Sequence, residues 1–224
     1  PVRRAAEHGC MPPVRVVPLV LGLLLFLALP AGAAAAQRFV SPTGAGSACS
    51  AAQPCALATG AGAAASGDEV LVAPGAYSVA ALGVSAGVDV HGAVGGPAPV
   101  VTITGDLTVA GRLADVAVRS SGPVVVLPGF GERLDVRQTA AQAAVIIGRG
   151  GFLANSAVVS AGNAIAWFGY DARFDLRNVT AIAGASGYGL YMNALPGPMG
   201  SQSLGVVRNS VFHGGLGDLT KVGP

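Results

Sequence analysis

The feature that most constrains this fold is a short unit that recurs along the second half of the chain. Each copy has an apolar residue, one intervening residue, an Asn or Asp, and then the start of a strand-like run. The four copies are Leu113-Ala114-Asp115-Val116, Leu153-Ala154-Asn155-Ser156, Leu176-Arg177-Asn178-Val179 and Val207-Arg208-Asn209-Ser210. Their Asp and Asn residues are 40, 23 and 31 positions apart, with Leu134-Asp135-Val136 as a looser midpoint of the first interval. Periods of about 20 to 30 residues are typical of solenoid proteins, in which one small unit stacks on the next.

The recurring polar residues are Asp115, Asn155, Asn178 and Asn209. Asn and Asp tolerate the left-handed backbone conformation that a sharp corner between two strands requires. Amide side chains at stacked corners can also hydrogen-bond from one unit to the next. We therefore predict a structural role for these four residues.

Short apolar runs fill the chain between these corners. The run from Val124 to Leu127 is apolar at consecutive positions, which favours buried parallel strands over the alternating strands of a β-sandwich. A leucine-rich solenoid would need a recurrent Leu spacing that is absent. Only 11% of residues are charged and 34 are Gly, a composition that fits short buried strands and tight turns. The sequence therefore predicts an all-β fold of stacked coils.

The mature N-terminus carries a cysteine pair and one predicted helix. Cys49 and Cys55 have no neighbouring His to complete a metal site, so in an exported protein they predict a disulfide. Pro54 is suited to open a short helix over Cys55–Ser66. The run Glu69–Ala73 then predicts a strand, which Pro74-Gly75 ends.

The opening of the mature chain resembles a known family. Phe39-Val40-Ser41-Pro42-Thr43-Gly44, the Cys49 and Cys55 pair, and Gly67-Asp68-Glu69-Val70-Leu71-Val72-Ala73-Pro74-Gly75-Ala76-Tyr77 look like the opening of extracellular right-handed parallel β-helix repeat proteins of the pectate-lyase-like superfamily. The resemblance implies an N-terminal cap, with a short capping helix, followed by the first coil of a right-handed parallel β-helix over residues 38 to about 215. It implies no single activity, because lyases, hydrolases, epimerases and proteins without a known reaction share this opening.

Residues 1–36 are interpreted as a signal peptide. Arg15 precedes an apolar run of 14 residues from Val16 to Leu29, and Ala34-Ala35-Ala36 suits cleavage before Gln37. The alternative is an uncleaved anchor, but a bilayer span needs about 20 apolar residues. Met11 heads this segment, so residues 1–10 are interpreted as an extension of the gene prediction. We expect a secreted or cell-surface protein whose mature domain, residues 37–224, has no stable membrane span.

The formal net charge of +2 belongs to the leader. Arg3, Arg4, Arg15 and Glu7 account for it, and the remainder carries ten basic and ten acidic residues. A neutral domain lacks the basic patch that binding to a phosphate backbone requires, so no nucleic-acid partner is expected.

The C-terminal region has no recognisable cap. After Val211-Phe212 the chain passes through Gly214-Gly215 and ends in Val222-Gly223-Pro224. Terminal repeats normally differ from internal ones, because an open solenoid end exposes a sheet edge and apolar side chains. We expect the domain to be incomplete at this end, or the end to pair with another chain.

No catalytic motif stands out. A lyase would need clustered carboxylates to hold calcium and an Arg or Lys base, and a hydrolase would need paired Asp residues. The best cluster has Asp171, Arg173, Asp175 and Arg177 on the outer face of a strand, with Tyr170, Tyr188 and Tyr191 nearby and with Arg133, Asp135, Arg137 and Arg149 on preceding coils. Such side chains suit an acidic or hydroxyl-rich glycan, whereas the structural alternative is a set of solvated cross-strand ion pairs.

Two hypotheses follow from the sequence. The first is a non-catalytic β-helix that binds extracellular polysaccharide or serves as a cell-envelope structural element, with no cofactor or metal. The second is a polysaccharide lyase or glycoside hydrolase with a diverged or missing site, acting on acidic polysaccharide, and only the lyase version would call for calcium.

Overall fold

The computed structural model describes residues 35–121, 125–169, 173–194 and 204–222. The predicted signal peptide lies outside the described residues except for its last two positions, and Tyr170 and Asp171 lie outside them as well. About half of the described residues lie in β-strands, which form three sheets whose strands all pair in parallel. The prediction of an all-β protein is confirmed.

Strands are numbered in chain order. Sheet 1 consists of β1 (Gln37–Val40), β2 (Glu69–Val72), β5 (Asp89–Gly92), β8 (Arg112–Ala114), β11 (Phe130–Glu132), β14 (Phe152–Ala154), β17 (Arg173–Arg177) and β20 (Leu204–Arg208). Sheet 2 consists of β3 (Ala76–Val79), β6 (Val100–Ile103), β9 (Ala117–Ser120), β12 (Asp135–Gln138), β15 (Ala157–Ser160), β18 (Thr180–Ile182) and β21 (Val211–His213). Sheet 3 consists of β4 (Leu82–Val84), β7 (Leu107–Val109), β10 (Val125–Leu127), β13 (Val145–Ile147), β16 (Ile165–Gly169), β19 (Tyr188–Ala194) and β22 (Gly217–Val222).

From β2 onward the chain visits the three sheets in turn. We call each set of three consecutive strands, one per sheet, a coil; the first is β2-β3-β4 and the last described one is β20-β21-β22. Within each sheet, every strand pairs in parallel with the corresponding strand of the next coil. This arrangement is compatible with the predicted parallel β-helix.

The interior consists of apolar side chains stacked in columns. In sheet 1, Leu113, Leu153 and Leu176 are fully buried, and Gly131 lies in register between the first two. A Cβ added at Gly131 would lie 2.9 Å from Leu153 Cδ1 and 3.0 Å from Leu134 Cδ1, so these leucines would have to shift to admit it. Neighbouring leucines therefore fill the space above this glycine at the density expected of a protein core.

Left-handed corners connect sheet 1 to sheet 2. Asp115, Asn155, Asn178 and Asn209 have φ values of 56°, 50°, 53° and 46°. The Asn178 side-chain amide donates to Asn155 Oδ1 at 2.9 Å, so two successive corners are joined by an amide hydrogen bond. Their positions and conformation are those expected of corner residues.

Arg133 provides the remaining corner in this series, with φ of 50°. The sequence pattern placed the midpoint at Asp135, and the structure corrects it, because Asp135 begins β12 in register with Ala117 and Ala157. Arg rarely adopts this conformation. Here its guanidinium is fixed by Asp115, with Nε to Oδ1 at 2.6 Å and Nη2 to Oδ2 at 2.7 Å.

The N-terminal cap explains why the opening string has its particular residues. The predicted disulfide between Cys49 and Cys55 is confirmed. The Asp68 carboxylate accepts hydrogen bonds from the backbone N–H groups of Ala36 at 2.8 Å and Ala65 at 3.0 Å. The Tyr77 hydroxyl donates to the Ala73 carbonyl at 2.7 Å and thereby closes the turn at Pro74-Gly75.

Helix α1 (Leu57–Gly62) is shorter than the predicted Cys55–Ser66. The Asp68 carboxylate captures the Ala65 N–H, so residues after the helix form a turn instead of another helical hydrogen bond. The described residues include no helix that is long and apolar enough to cross a membrane.

Candidate functional site

The outer face of sheet 1 carries two columns of side chains. The first column is in register across seven strands and contains Glu69, Asp89, Arg112, Phe130, Phe152, Asp175 and Val206. The second column contains His91, Ala114, Glu132, Ala154, Arg177 and Arg208. Charged residues dominate the first coils of this face, and aromatic residues take their place in the middle.

A network of ion pairs occupies the N-terminal part of the face. Arg112 Nη1 lies 2.8 Å from both carboxylate oxygens of Asp89, and its Nη2 lies 2.8 Å from Glu132 Oε2. Glu132 also pairs with Arg133, which in turn holds Asp115. We call Asp89, Arg112, Glu132, Arg133 and Asp115 the ionic ladder. Its cations are already bound by carboxylates of the same chain, and this favours a structural role.

His91 lies next to the ionic ladder, and both of its ring nitrogens face acceptors. Nε2 is 2.7 Å from Glu69 Oε1, and Nδ1 is 2.8 Å from the Gly92 carbonyl oxygen. Only the doubly protonated ring can donate both hydrogen bonds. Burial opposes protonation, but the bonds to Gly92 and Glu69 and the charge of Asp89 outweigh it, so the pKa of His91 is raised.

Two phenylalanines interrupt the charges on adjacent strands. The ring centroids of Phe130 and Phe152 are 5.5 Å apart, and 54% of the Phe130 surface is exposed. The Arg177 guanidinium lies over the Phe152 ring, 5.4 Å from its centroid. Arg177 is held there by Asp175, with Nε to Oδ1 at 3.0 Å and Nη2 to Oδ2 at 2.5 Å. An aromatic surface with a fixed cation on one side therefore faces solvent.

A groove of about 400 Å³ adjoins this surface. Phe130, Phe152, Arg173 and Asp175 line it together with Leu204 and Val206. Arg173 is exposed, and its guanidinium makes no ion pair or hydrogen bond with another described residue. Among the described residues, the groove therefore combines an apolar surface with a guanidinium that no carboxylate holds. We call Phe130, Phe152, Arg173, Asp175 and Arg177 the sheet 1 site.

Asp115, Glu132 and Asp175 are poor candidates for a general acid near neutral pH. The hydrogen bond from Arg177 lowers the pKa of Asp175, and the hydrogen bond from Arg112 lowers the pKa of Glu132. The Arg133 side chain likewise lowers the pKa of Asp115. A general acid near neutral pH needs the opposite shift. The described residues contain no group of three or more His, Cys, Asp or Glu arranged to hold a metal ion.

The structure places the residues predicted for binding in three regions. Arg173, Asp175 and Arg177 alternate outward on β17, as expected from strand alternation, while Phe174 and Leu176 are buried between them. Arg133 lies at a corner within the ionic ladder. Arg137 belongs to sheet 2, beside Arg119 in register, and pairs with Asp135 at 3.3 Å. Arg133 and Arg137 therefore do not line the groove with Arg173.

Sequence reasoning missed Phe130 and Phe152, although a signal was present. Each lies three residues before a corner, as do Arg112 and Asp175, so counting back from the corners finds the first outer column. Counting back three residues finds Phe130 only if Arg133 is recognised as a corner. An Arg in a left-handed conformation has no sequence signature, which is why Phe130 was overlooked.

Comparison with protein-family models, with curated proteins and with solved structures finds no significant match.

Proposed function

We propose that this chain is a secreted right-handed parallel β-helix protein that binds extracellular polysaccharide through the sheet 1 site without catalysing a reaction. The fold part of the proposal is supported by coils that visit three parallel sheets in turn and by the cap residues that resemble the extracellular β-helix family. Export is supported by the leader in the sequence.

The observation that carries the binding proposal is the exposed Phe130 and the partly exposed Phe152 beside Arg173, whose guanidinium has no partner among the described residues. Sugar rings have an apolar face of C–H groups that packs on aromatic rings, and their hydroxyls require hydrogen-bond partners. Arg173 can bind the carboxylate of an acidic sugar by two parallel hydrogen bonds. Asp175 keeps oxygen atoms at the groove that can accept hydrogen bonds from hydroxyls. The site therefore favours a polysaccharide that contains acidic units.

The pKa shifts favour binding over the lyase or hydrolase alternative. Asp115, Glu132 and Asp175 stay ionised because Arg side chains donate to them, and this suits a rigid support for the aromatic pair. An acid or base would need a less completely paired carboxylate within reach of the substrate.

The test is a binding titration of the secreted protein with polygalacturonate and alginate, measured by calorimetry or by affinity electrophoresis. We expect Phe152→Ala to weaken binding about tenfold through loss of ring stacking. Arg173→Gln should weaken binding to these acidic chains by a similar factor, about tenfold, and reduce its salt dependence. Thr102→Ala, an exposed outward residue of sheet 2, is the matched control and should bind like the wild type.

Unchanged affinity in both site variants would refute the sheet 1 site. Release of unsaturated uronate products, followed by ultraviolet absorbance, would instead support the lyase alternative.

A further inference from the structure

The outer face of sheet 3 differs from the charged face of sheet 1. No charged residue occurs in β4, β7, β10, β13, β16 or β19, and among the described strands of this sheet only β22 carries any. The outward positions in register include Gly83, Thr108, Ile146, Ala166, Tyr191 and Thr220, of which Gly83 and Thr108 are exposed and Ala166 is fully buried. A chain exported into water normally covers exposed strands with charges. An uncharged face over six strands therefore needs an explanation.

Three aromatic rings form a row at the C-terminal end of sheet 3, with Phe168 and Tyr191 at outward positions and Tyr188 at the start of β19. The centroid of the Tyr191 ring is 5.9 Å from that of Tyr188 and 5.9 Å from that of Phe168. Phe168 is 44% exposed, and both tyrosines are partly exposed. We call Tyr188, Tyr191 and Phe168 the aromatic row. Its length exceeds that of a single ring, so it suits an extended ligand.

The backbone beneath the aromatic row is fixed. Asn163 Oδ1 accepts the Tyr188 N–H at 2.8 Å. Gly189 follows Tyr188 and packs closely, because a Cβ at this position would lie 2.6 Å from the His213 backbone nitrogen. These contacts hold the start of β19 in place, so the two tyrosine rings are presented on a rigid strand.

Uncharged polar groups accompany the rings on β19, and Asp218 and Lys221 lie on the neighbouring β22. Asn193 is the register partner of Phe168, and Thr220 is the register partner of Tyr191. The Asn193 amide and the hydroxyls of Tyr188 and Tyr191 make no hydrogen bond with another described residue. An amide and two phenolic hydroxyls are therefore available as both donors and acceptors around the aromatic row.

We propose that the aromatic row is a second polysaccharide-binding surface and that its ligand is an uncharged, hydroxyl-rich chain. A charged ligand would find no counter-charge on the first six strands of this sheet, and β22 carries one residue of each sign, Asp218 and Lys221. A purely apolar partner would leave the Asn193 amide and the tyrosine hydroxyls buried without hydrogen bonds, which is costly. A neutral polysaccharide satisfies both requirements, since its sugar faces stack on the rings and its hydroxyls bond to the polar groups. This surface lies on a different sheet from the sheet 1 site, and the proposal does not rest on that site.

The experiment uses the whole secreted protein with cellulose and chitin as insoluble probes and hydroxyethyl cellulose as a soluble one. We expect binding that persists at high salt, because no ion pair contributes to it. Tyr191→Ala should weaken binding about tenfold, whereas Tyr191→Phe keeps the ring and loses only the hydroxyl, so it should weaken binding by a smaller factor. Thr108→Ala, an exposed outward residue of the same sheet, is the matched control. Circular dichroism and thermal unfolding of each variant establish that it is folded.

Two outcomes would overturn the proposal. One is that Tyr191→Ala, shown to be folded, binds the neutral probes as well as the wild type does. The other is sedimentation showing a dimer that Tyr191→Ala dissociates, which would make this face an interface between two copies of the chain. Phe152→Ala separates this proposal from the sheet 1 site, because it should leave binding to neutral chains unchanged while it weakens binding to acidic ones.

Discussion

Sheets 1 and 3 are formed by the same coils, yet their outer faces are chemically opposite. On sheet 1, carboxylates and guanidinium groups pair along the ionic ladder and then give way to Phe130 and Phe152. On sheet 3, six strands carry no charge, and aromatic rings appear only near the C-terminal end. The inward residues of both sheets are equally buried, as Leu153 and Ile147 illustrate.

This difference shows where the fold and the function reside in such a chain. Side chains on a strand alternate between two faces, so inward positions can stay apolar while outward positions change freely. The stack of coils therefore serves as a common scaffold, and each outer face acquires its own chemistry. Three mutational or pH experiments sharpen this comparison.

Leu153→Ala should have the largest effect. Leu153 is fully buried in the interior column, so its truncation leaves a cavity and should lower the free energy of unfolding by about 2–5 kcal/mol. Both faces should then lose binding together on heating, because they share one core. Urea unfolding measures the change, with the outward neighbour Phe152→Ala as control. If Phe152→Ala were as destabilising as Leu153→Ala, the idea that inward residues determine stability while outward residues determine surface chemistry would be wrong.

Arg112→Ala should have an intermediate effect that is specific to sheet 1. The substitution removes the cation that Asp89 and Glu132 share. Because these groups are partly exposed and screened by solvent, the free energy of unfolding should fall by about 1 kcal/mol. On sheet 3, the outward Thr108→Ala should change stability by less than about 0.5 kcal/mol. Urea unfolding of both variants at low and high salt checks this prediction. Salt screens the ion pairs, so the difference in free energy of unfolding between Arg112→Ala and Thr108→Ala should be smaller at high salt. Equal effects at low salt would show that the ionic ladder contributes nothing.

Stability should depend on pH through His91 and Glu69, with the smallest effect of the three. The pKa of His91 is raised above its ordinary 6.5, so its contribution is complete below that value and is lost as pH rises through the folded-state pKa. The pKa of Glu69 is lowered below 4.5, chiefly by the hydrogen bond from Gln37 and then by that from His91. Its contribution is therefore complete above 4.5 and is lost as pH falls.

The pair should accordingly stabilise sheet 1 most between pH 4.5 and 6.5. Thermal unfolding of the wild type and of His91→Gln across this range measures the effect. If the thermal stability of His91→Gln falls above neutral pH as much as that of the wild type, the pH dependence arises from another group.

Much of the scaffold could be predicted from the sequence because its determinants are local. The disulfide follows from two nearby cysteines, and the corners at Asn155 and Asn178 follow from a side chain that tolerates positive φ. Arg133 could not be found in this way, because its corner depends on ion pairs to Asp115 on the preceding coil. Tyr188 and Tyr191 were recognised from the sequence only as rings near the charged cluster, and their place beside Phe168 on sheet 3 was missed for a related reason. Phe168 and Tyr191 are 23 residues apart in sequence, and only the parallel register brings their rings together.

The most direct test of two independent faces is a simultaneous binding measurement. Wild-type protein is saturated with soluble polygalacturonate and is then titrated with hydroxyethyl cellulose at high and low salt. Two independent faces predict that the neutral chain binds with the same affinity whether or not the acidic chain is present. Displacement of one polysaccharide by the other would mean a single shared surface and would contradict the account.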